Sequence, residues 1–128
     1  MTTASNGKLV ELVDRYIAIW NETDAEARRN LIAWTYTEDA RYLDPVLQGE
    51  GRDGIDAMVK AVHERFPGHR FARTSDVDAH HDRARFAWEL GPAGSPALVK
   101  GIDFATLSED GKLHSVTGFF TQVPAAAQ

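Results

Sequence analysis

The spacing of hydrophobic positions changes once along the chain, from helical steps before about residue 66 to alternation after it. Leu9, Leu12, Val13, Tyr16, Ile17 and Trp20 recur at three- and four-residue steps, with Glu11, Asp14 and Arg15 off that stripe. This predicts a first amphipathic helix whose apolar side must pack on something. Thr23-Asp24 reads as the start of a second, shorter helix with Ala27, Leu31 and Trp34 on its buried side. Glu38-Asp39-Ala40 then leads into a short strand ending at Asp44-Pro45. A third helix is expected over about 53–66, with Ile55, Met58, Val59 and Val62 inward and Pro67-Gly68 as its stop.

Segments near 69–80, 82–91, 97–108 and 112–122 read as strands, separated by His81-Asp82, Gly91-Pro92-Ala93-Gly94 and Glu109-Asp110-Gly111-Lys112. Alternation is clearest where Ala84, Phe86, Trp88 and Leu90 share one face and Arg83, Arg85 and Glu89 take the other. Helices followed by strands predict an α+β fold, with a curved, mostly antiparallel sheet wrapped around three N-terminal helices. The chain shows neither repeats nor a linker, so a single domain over 1–128 is expected, with its core over about 8–122 and a frayed tail at Pro124–Gln128.

Composition narrows the partners. The formal charge is −5, the pI is near 5.4, and acids are interspersed with the basic residues. That pattern argues against nucleic acid, which requires a basic stripe. The absence of cysteine removes disulfides, a thiolate nucleophile and thiolate metal ligands. Met1–Gly7 has no apolar signal core and no apolar run reaches membrane-spanning length. A cytoplasmic protein without a membrane partner is the expectation.

Three proton-active side chains stand out. Asp44 lies in Tyr42-Leu43-Asp44-Pro45, at a strand end ahead of Gly49, Gly51 and Gly54. Asp103 lies in Gly101-Ile102-Asp103-Phe104-Ala105, an otherwise uncharged strand. Tyr16 falls on the apolar stripe of the first helix. Their convergence on one pocket would make an acid/base site, because removing a proton alpha to a carbonyl needs a base at the carbon and donors at the oxygen that becomes an enolate. A carboxylate at a solvated mouth stays ionised, whereas one deep in apolar surroundings is pushed toward its neutral form. Asp44 suits the mouth. Asp103, sharing its face with Val99, Gly101, Ala105 and Leu107, suits the interior, where the small residues leave room for a ligand.

Each candidate also has an ordinary structural reading. Tyr16 can be a core tyrosine bonded to a carbonyl, and Asp44 can organise the turn at Pro45. Asp103 can pair with Arg83, Arg85 or Lys100, or take a backbone amide at a bulge. Among the aromatic residues, Trp20, Phe86, Trp88 and Phe119 are candidate pocket lining, together with His63, Val99 and Gly101. His80 and His81 are adjacent, which on a strand sends them to opposite faces, and no HxxxH or HExxH pair occurs, so no metal site is expected. The serines lack a GxSxG elbow, and Gly49–Gly54 carries two acids and no phosphate-loop lysine.

With Arg15-Tyr16 on the first helix, Asp44-Pro45-Val46 at the first strand end and Gly101-Ile102-Asp103-Phe104 on a late strand, the chain resembles the nuclear transport factor 2-like superfamily over about residues 8–122. Within it, the SnoaL-like and ketosteroid-isomerase-like branch is the most similar. The resemblance implies the cone-shaped α+β fold, with Asp44 at the general-base position and Tyr16 and Asp103 at the oxyanion-hole positions; this division of labour is carried over from ketosteroid isomerase. It implies a cofactor-independent isomerase or polyketide-cyclase-like enzyme acting on a small apolar or polycyclic carbonyl compound. A homodimer through the outer sheet face is implied as well. The competing reading is a non-catalytic ligand-binding or dimerisation domain of the same fold. Epoxide hydrolysis, found elsewhere in the superfamily, would need an Asp-Arg-Asp arrangement around a water, for which no inward arginine is assigned.

Overall fold

A computed structural model describes residues 3–124, with side chains from Gly7 onward. The expected tail at 125–128 lies outside the described residues. Helix α1 (Thr3–Asn21) starts ahead of its apolar stripe and buries Leu12, Val13, Tyr16, Ile17, Ile19 and Trp20. Helix α2 (Ala25–Thr35) begins where Asp24 predicts, the Asp24 carboxylate accepting the Ala27 amide at 2.8 Å. That bond satisfies one of the amide donors a helix start leaves free.

The buried side of α2 differs from expectation. Arg28, Ile32 and Thr35 face inward, Ala27 and Leu31 are only half-buried, and Trp34 is 62% exposed. The cause is an ion pair that hydrophobic spacing cannot reveal. Arg28 Nε donates to Asp56 at 2.6 Å and Nη1 to the Glu22 carbonyl at 3.0 Å, so a charged residue takes the inward frame. Trp34 is left outside, stacked by the Arg15 guanidinium at 4.1 Å.

Strand β1 (Tyr36–Leu43) follows α2 directly, so Glu38–Ala40 lies inside the strand rather than before it. Arg52 makes this abrupt join possible by donating to the carbonyls of Ala33 and Tyr36. A short strand β2 (Gln48–Glu50), which the sequence reading did not anticipate, pairs back on β1 before helix α3 (Gly51–Arg65). Gly51 enters α3 at φ +71°, a conformation open to glycine without strain. Ile55, Met58, Val59 and Val62 are buried, as the spacing predicted.

The remaining strands are β3 (His69–Arg73), β4 (Asp78–His80), β5 (Arg83–Pro92), β6 (Val99–Leu107) and β7 (Leu113–Gln122). Their order is β2-β1-β7-β6-β5-β3, with β4 also on β5. Strands β5, β6 and β7 form the expected antiparallel meander, while β1 joins β7 in parallel, giving a curled mixed sheet around the helices. The strand expected over 69–80 is broken at Thr74–Val77, between the pairs Arg73–Trp88 and Asp78–Arg85. There the Ser75 hydroxyl replaces a backbone acceptor for the Ala87 amide at 2.8 Å. His81 leaves the strand at φ 51°, so the two histidines touch instead of pointing apart. Among the described residues, no helix is long and apolar enough to cross a membrane.

Rings fill the interior of the cone. Tyr16 packs edge-on against Trp20, Tyr36 and Phe86, with centroids 5.6–6.4 Å apart, and Trp20 meets Tyr42 and Phe71. Polar groups placed among those rings have little access to water, which sets the terms for the site.

Candidate active site

Register brings the three sequence candidates into one region. Asp103 on β6 lies opposite Phe86 on β5 and Gly118 on β7. Trp88 on β5 lies opposite Gly101. A Cβ at position 101 would collide with the Trp88 ring and the Phe119 carbonyl, so glycine there lets the indole lie flat across β6. The indole Nε1–H then donates to Asp103 Oδ1 at 2.9 Å. From α1, the Tyr16 hydroxyl donates to Asp103 Oδ2 at 2.6 Å. Arg83 and Arg85 are engaged by Asp82 and Asp78, so neither is the partner that the structural reading of Asp103 offered.

Asp44 stands across Gly118. A Cβ on that glycine would come within 2.8 Å of Asp103 Oδ1, 3.1 Å of the Asp44 Cβ and 3.4 Å of the Tyr42 hydroxyl. The second missing side chain therefore lets the Asp103 carboxylate, the Asp44 Cβ and the Tyr42 phenol close on one point. Asp44 is also a turn organiser: Oδ1 accepts the amides of Val46 at 2.8 Å and Leu47 at 2.7 Å, and its own amide donates to the Leu47 carbonyl. Oδ2 accepts the Tyr42 hydroxyl at 2.6 Å.

The environments of the two acids differ. Asp103 is 2% exposed and Asp44 9%. Burial pushes the Asp103 carboxyl up to about 7; the Tyr16 and Trp88 bonds pull the other way, and the negative charge of Asp44 adds to the rise. Tyr16, Tyr36 and Tyr42 are held neutral, first by burial and then by the nearby Asp103 charge. Every buried side-chain nitrogen and oxygen among the described residues has a hydrogen-bond partner.

The pocket expectations need correction. Gly101 makes room for the Trp88 ring rather than for a ligand, because the indole already occupies the space over it. Phe119 is 56% exposed on the outer face, packed edge-on to Phe104, because Gly118 beside it takes the inward position. Its neighbour Phe120 turns inward onto Trp88. Trp20, Phe86, Trp88 and Val99 are buried core residues. His63 Nε2 meets the Trp20 carbonyl at 2.7 Å and borders a cleft of about 340 Å³ between α2 and α3, which neither Asp44 nor Asp103 lines. A second cleft, of about 370 Å³, lies between Leu9-Val10 and Arg73–Val77. Neither cleft contains Tyr16, Asp44 or Asp103, and Tyr16 is 1% exposed. The candidates form an enclosed cluster of two adjacent hydrogen-bonded groups, Tyr16–Asp103–Trp88 and Asp44–Tyr42 with its turn, which meet across Gly118.

The sequence reading missed Tyr42, and it took Trp88 only as lining. Tyr42 was within reach: alternation along Tyr42-Leu43-Asp44 places the phenol and the carboxylate on the same strand face. Trp88's partner depends on a diagonal contact that opens only because residue 101 is glycine. Among the described residues, no three His, Asp or Glu side chains are grouped to hold a metal ion.

Comparison with known proteins places the chain in a family. The model of the SnoaL-like domain matches residues 13–116, which include all three candidates. The chain belongs to the SnoaL-like family. Among solved structures it is similar to a "putative isomerase of the SnoaL-like family" from Agrobacterium tumefaciens, at 37% identity and a TM-score of 0.85, over 89% of this chain and 97% of that one. A "putative SnoaL-like polyketide cyclase" from Jannaschia shares the fold at 20% identity and a TM-score of 0.69, over 90% of this chain and 86% of that one. A de novo designed protein with a curved β-sheet also shares it, at 12% identity and a TM-score of 0.68, over 94% and 88% of the two chains. No curated protein matches the sequence. SnoaL-like membership accounts for the cone of helices and sheet; the design shows that such a cone exists apart from any natural family.

Proposed function

We propose that this SnoaL-like protein is a cofactor-independent enzyme that moves a proton alpha to a carbonyl in a small apolar or polycyclic substrate. Asp44 is the base, and Tyr16 with Asp103 stabilises the enolate. The carbon–hydrogen bond breaks toward Asp44, and the carbanion's charge passes to the carbonyl oxygen. Return of the proton at a different carbon completes a double-bond isomerisation; attack of the same carbanion on a second carbonyl closes an aldol ring, and the alkoxide so formed takes the proton back from Asp44.

The observation that carries this reading is Asp103 itself. A carboxyl at 2% exposure among rings, held near 7 by burial and beside a second carboxylate, is an expensive thing to keep in a core. It is also what a site needs if one acid is to be ionised and another neutral at the same pH. The closed cluster sets a requirement on access. Asp44 is its least buried member, so a substrate enters past Asp44 and the exposed Pro45-Val46 turn, loosening the bonds that hold Asp44 there.

The closed cluster also favours a second reading, in which the network specifies the core and catalyses nothing. Absorbance-monitored isomerisation of β,γ-unsaturated ketones, steroidal and monocyclic, separates the two, with Asp44→Asn run in parallel. Turnover lost by several orders of magnitude in Asp44→Asn, with the fold intact, supports the enzyme. Failure of a panel extended to aldol substrates moves the assignment to the core-specifying network.

A further inference from the structure

Trp88 bears on where a proton on Asp103 sits. An indole N–H donates and offers no lone pair in return. Standing 2.9 Å from Asp103 Oδ1, it makes that oxygen an acceptor in either charge state of the carboxyl. The Tyr16 hydroxyl, 2.6 Å from Oδ2, can donate or accept. When Asp103 is ionised, Tyr16 spends its hydrogen on Oδ2. When Asp103 is neutral, a hydrogen on Oδ2, the arrangement the indole favours, is donated to the Tyr16 oxygen, which leaves the phenolic hydrogen free to point elsewhere.

We propose that Trp88 is a positioning residue for this site: by donating to Oδ1 it biases the Asp103 proton toward Oδ2, and so turns Tyr16 into the donor that meets a substrate carbonyl oxygen. The inference rests on the proton-transfer reading above and sharpens it. Tyr16 touches the substrate, whereas Asp103 and Trp88 act through Tyr16. Without the indole, the proton can reside on Oδ1; Tyr16 then stays bonded to Oδ2 and offers the substrate nothing. Several contacts hold the indole in place. It is buried, laid over Gly101, and packed against Phe71 and Phe120 with centroids 5.8 and 6.1 Å away. The ionisable groups facing Asp103 are Tyr16 from α1, Tyr36 and Tyr42 from β1, and Asp44 from the turn after β1. The phenols stay neutral, so Asp44 is the charge that acts on it, and it favours the proton on Asp103.

The test follows the Asp103 carboxyl carbon by NMR across pH, assigned with Asp103→Asn, in the unsubstituted protein and in Trp88→Phe. Phenylalanine keeps most of the ring and loses the donor that favours the ionised form. The expected result is a titration midpoint about 1 pH unit higher in Trp88→Phe, a tenfold gain in proton affinity. The alkaline fall of kcat/KM should move upward with it, and kcat should drop more than KM rises. An unchanged or lower midpoint in a folded variant overturns the role of Trp88, whatever happens to turnover. If Trp88→Phe does not fold, the Trp88 indole N–H resonance of the unsubstituted protein decides. It should stay hydrogen-bonded on both sides of the Asp103 titration and shift with the same midpoint; release on protonation overturns the proposal. Because these titrations need no substrate, they separate the two failures. The expected midpoint shift with no turnover sinks the catalytic reading, and turnover without the shift sinks this one.

Discussion

Asp103→Asn should change the pH dependence of stability more than stability itself. Burial raises the Asp103 carboxyl from its ordinary 3.8 to about 7, so the folded protein keeps a proton there that the unfolded chain releases near pH 4. A raised acid of this kind contributes stability that is fully present below the unfolded value and is lost as pH rises through the folded one. Between pH 4 and 7 the folded state binds more protons, so the Asp103 contribution to unfolding free energy falls with pH. About three pH units at 1.36 kcal/mol each give a loss of about 4 kcal/mol. Asparagine removes the titration while copying the neutral carboxyl: its oxygen accepts from Trp88 and its amide donates to Tyr16. Urea unfolding of both proteins at intervals from pH 4 to 8 should therefore give near-equal stabilities at the acid end. By pH 8 the variant should be the more stable by a few kcal/mol. The difference between the two curves isolates Asp103, because the other ionisable groups are common to both. A flat difference curve would refute the reasoning, since it would mean that Asp103 has the same proton affinity folded and unfolded.

Gly118→Ala should cost about 1–3 kcal/mol, because its Cβ falls 2.8 Å from Asp103 Oδ1 and 3.1 Å from the Asp44 Cβ; an unchanged urea midpoint would show that the carboxylates are not held against β7. Arg28→Ala strands Asp56 at the α2–α3 contact and should cost about 3 kcal/mol, read by thermal or urea unfolding, with a loss below 1 kcal/mol refuting a structural role for the pair. Under the enzyme reading, kcat/KM of the unsubstituted protein should fall as pH rises through about 7 and the Asp103 proton is lost, while Asp103→Asn lacks that limb; an activity that rises across the same range excludes Asp103 as the required acid. The homodimer implied by family resemblance is proposed to form on the outer sheet face, where Phe104 and Phe119 are exposed. Sedimentation velocity should find a dimer that Phe119→Lys dissociates, and a monomeric unsubstituted protein would remove it.

Most of the fold was legible because periodicity reports a buried face directly. Leu12, Val13 and Tyr16 on α1, Ile55, Met58, Val59 and Val62 on α3 and Ala84, Phe86, Trp88 and Leu90 on β5 all face the core their spacing predicts. The errors fall where a polar group does a structural job. Arg28 displaced Trp34 from the inward side of α2 because an ion pair with Asp56 decided the frame. Ser75 supplied a side-chain acceptor that broke the strand expected over 69–80. Strand β2 is three residues long, too short for alternation to register.

The site was legible as residue types and not as a network, for a geometric reason. Tyr16, Asp44 and Asp103 announce themselves as polar groups in apolar stretches, and single positions suffice for that. The Trp88–Asp103 bond depends on Gly101 and the approach of Asp44 to Asp103 depends on Gly118; each glycine contributes only the space left by a missing side chain. One lets an indole lie flat and reach Asp103; the other lets Asp44 and Asp103 share a contact point. Opposite each glycine across the sheet stands a side chain of the network, Trp88 against Gly101 and Asp103 against Gly118. In this sheet an inward glycine is therefore as informative as an inward acid. It marks where a cross-strand neighbour has been allowed to leave its own place and reach another.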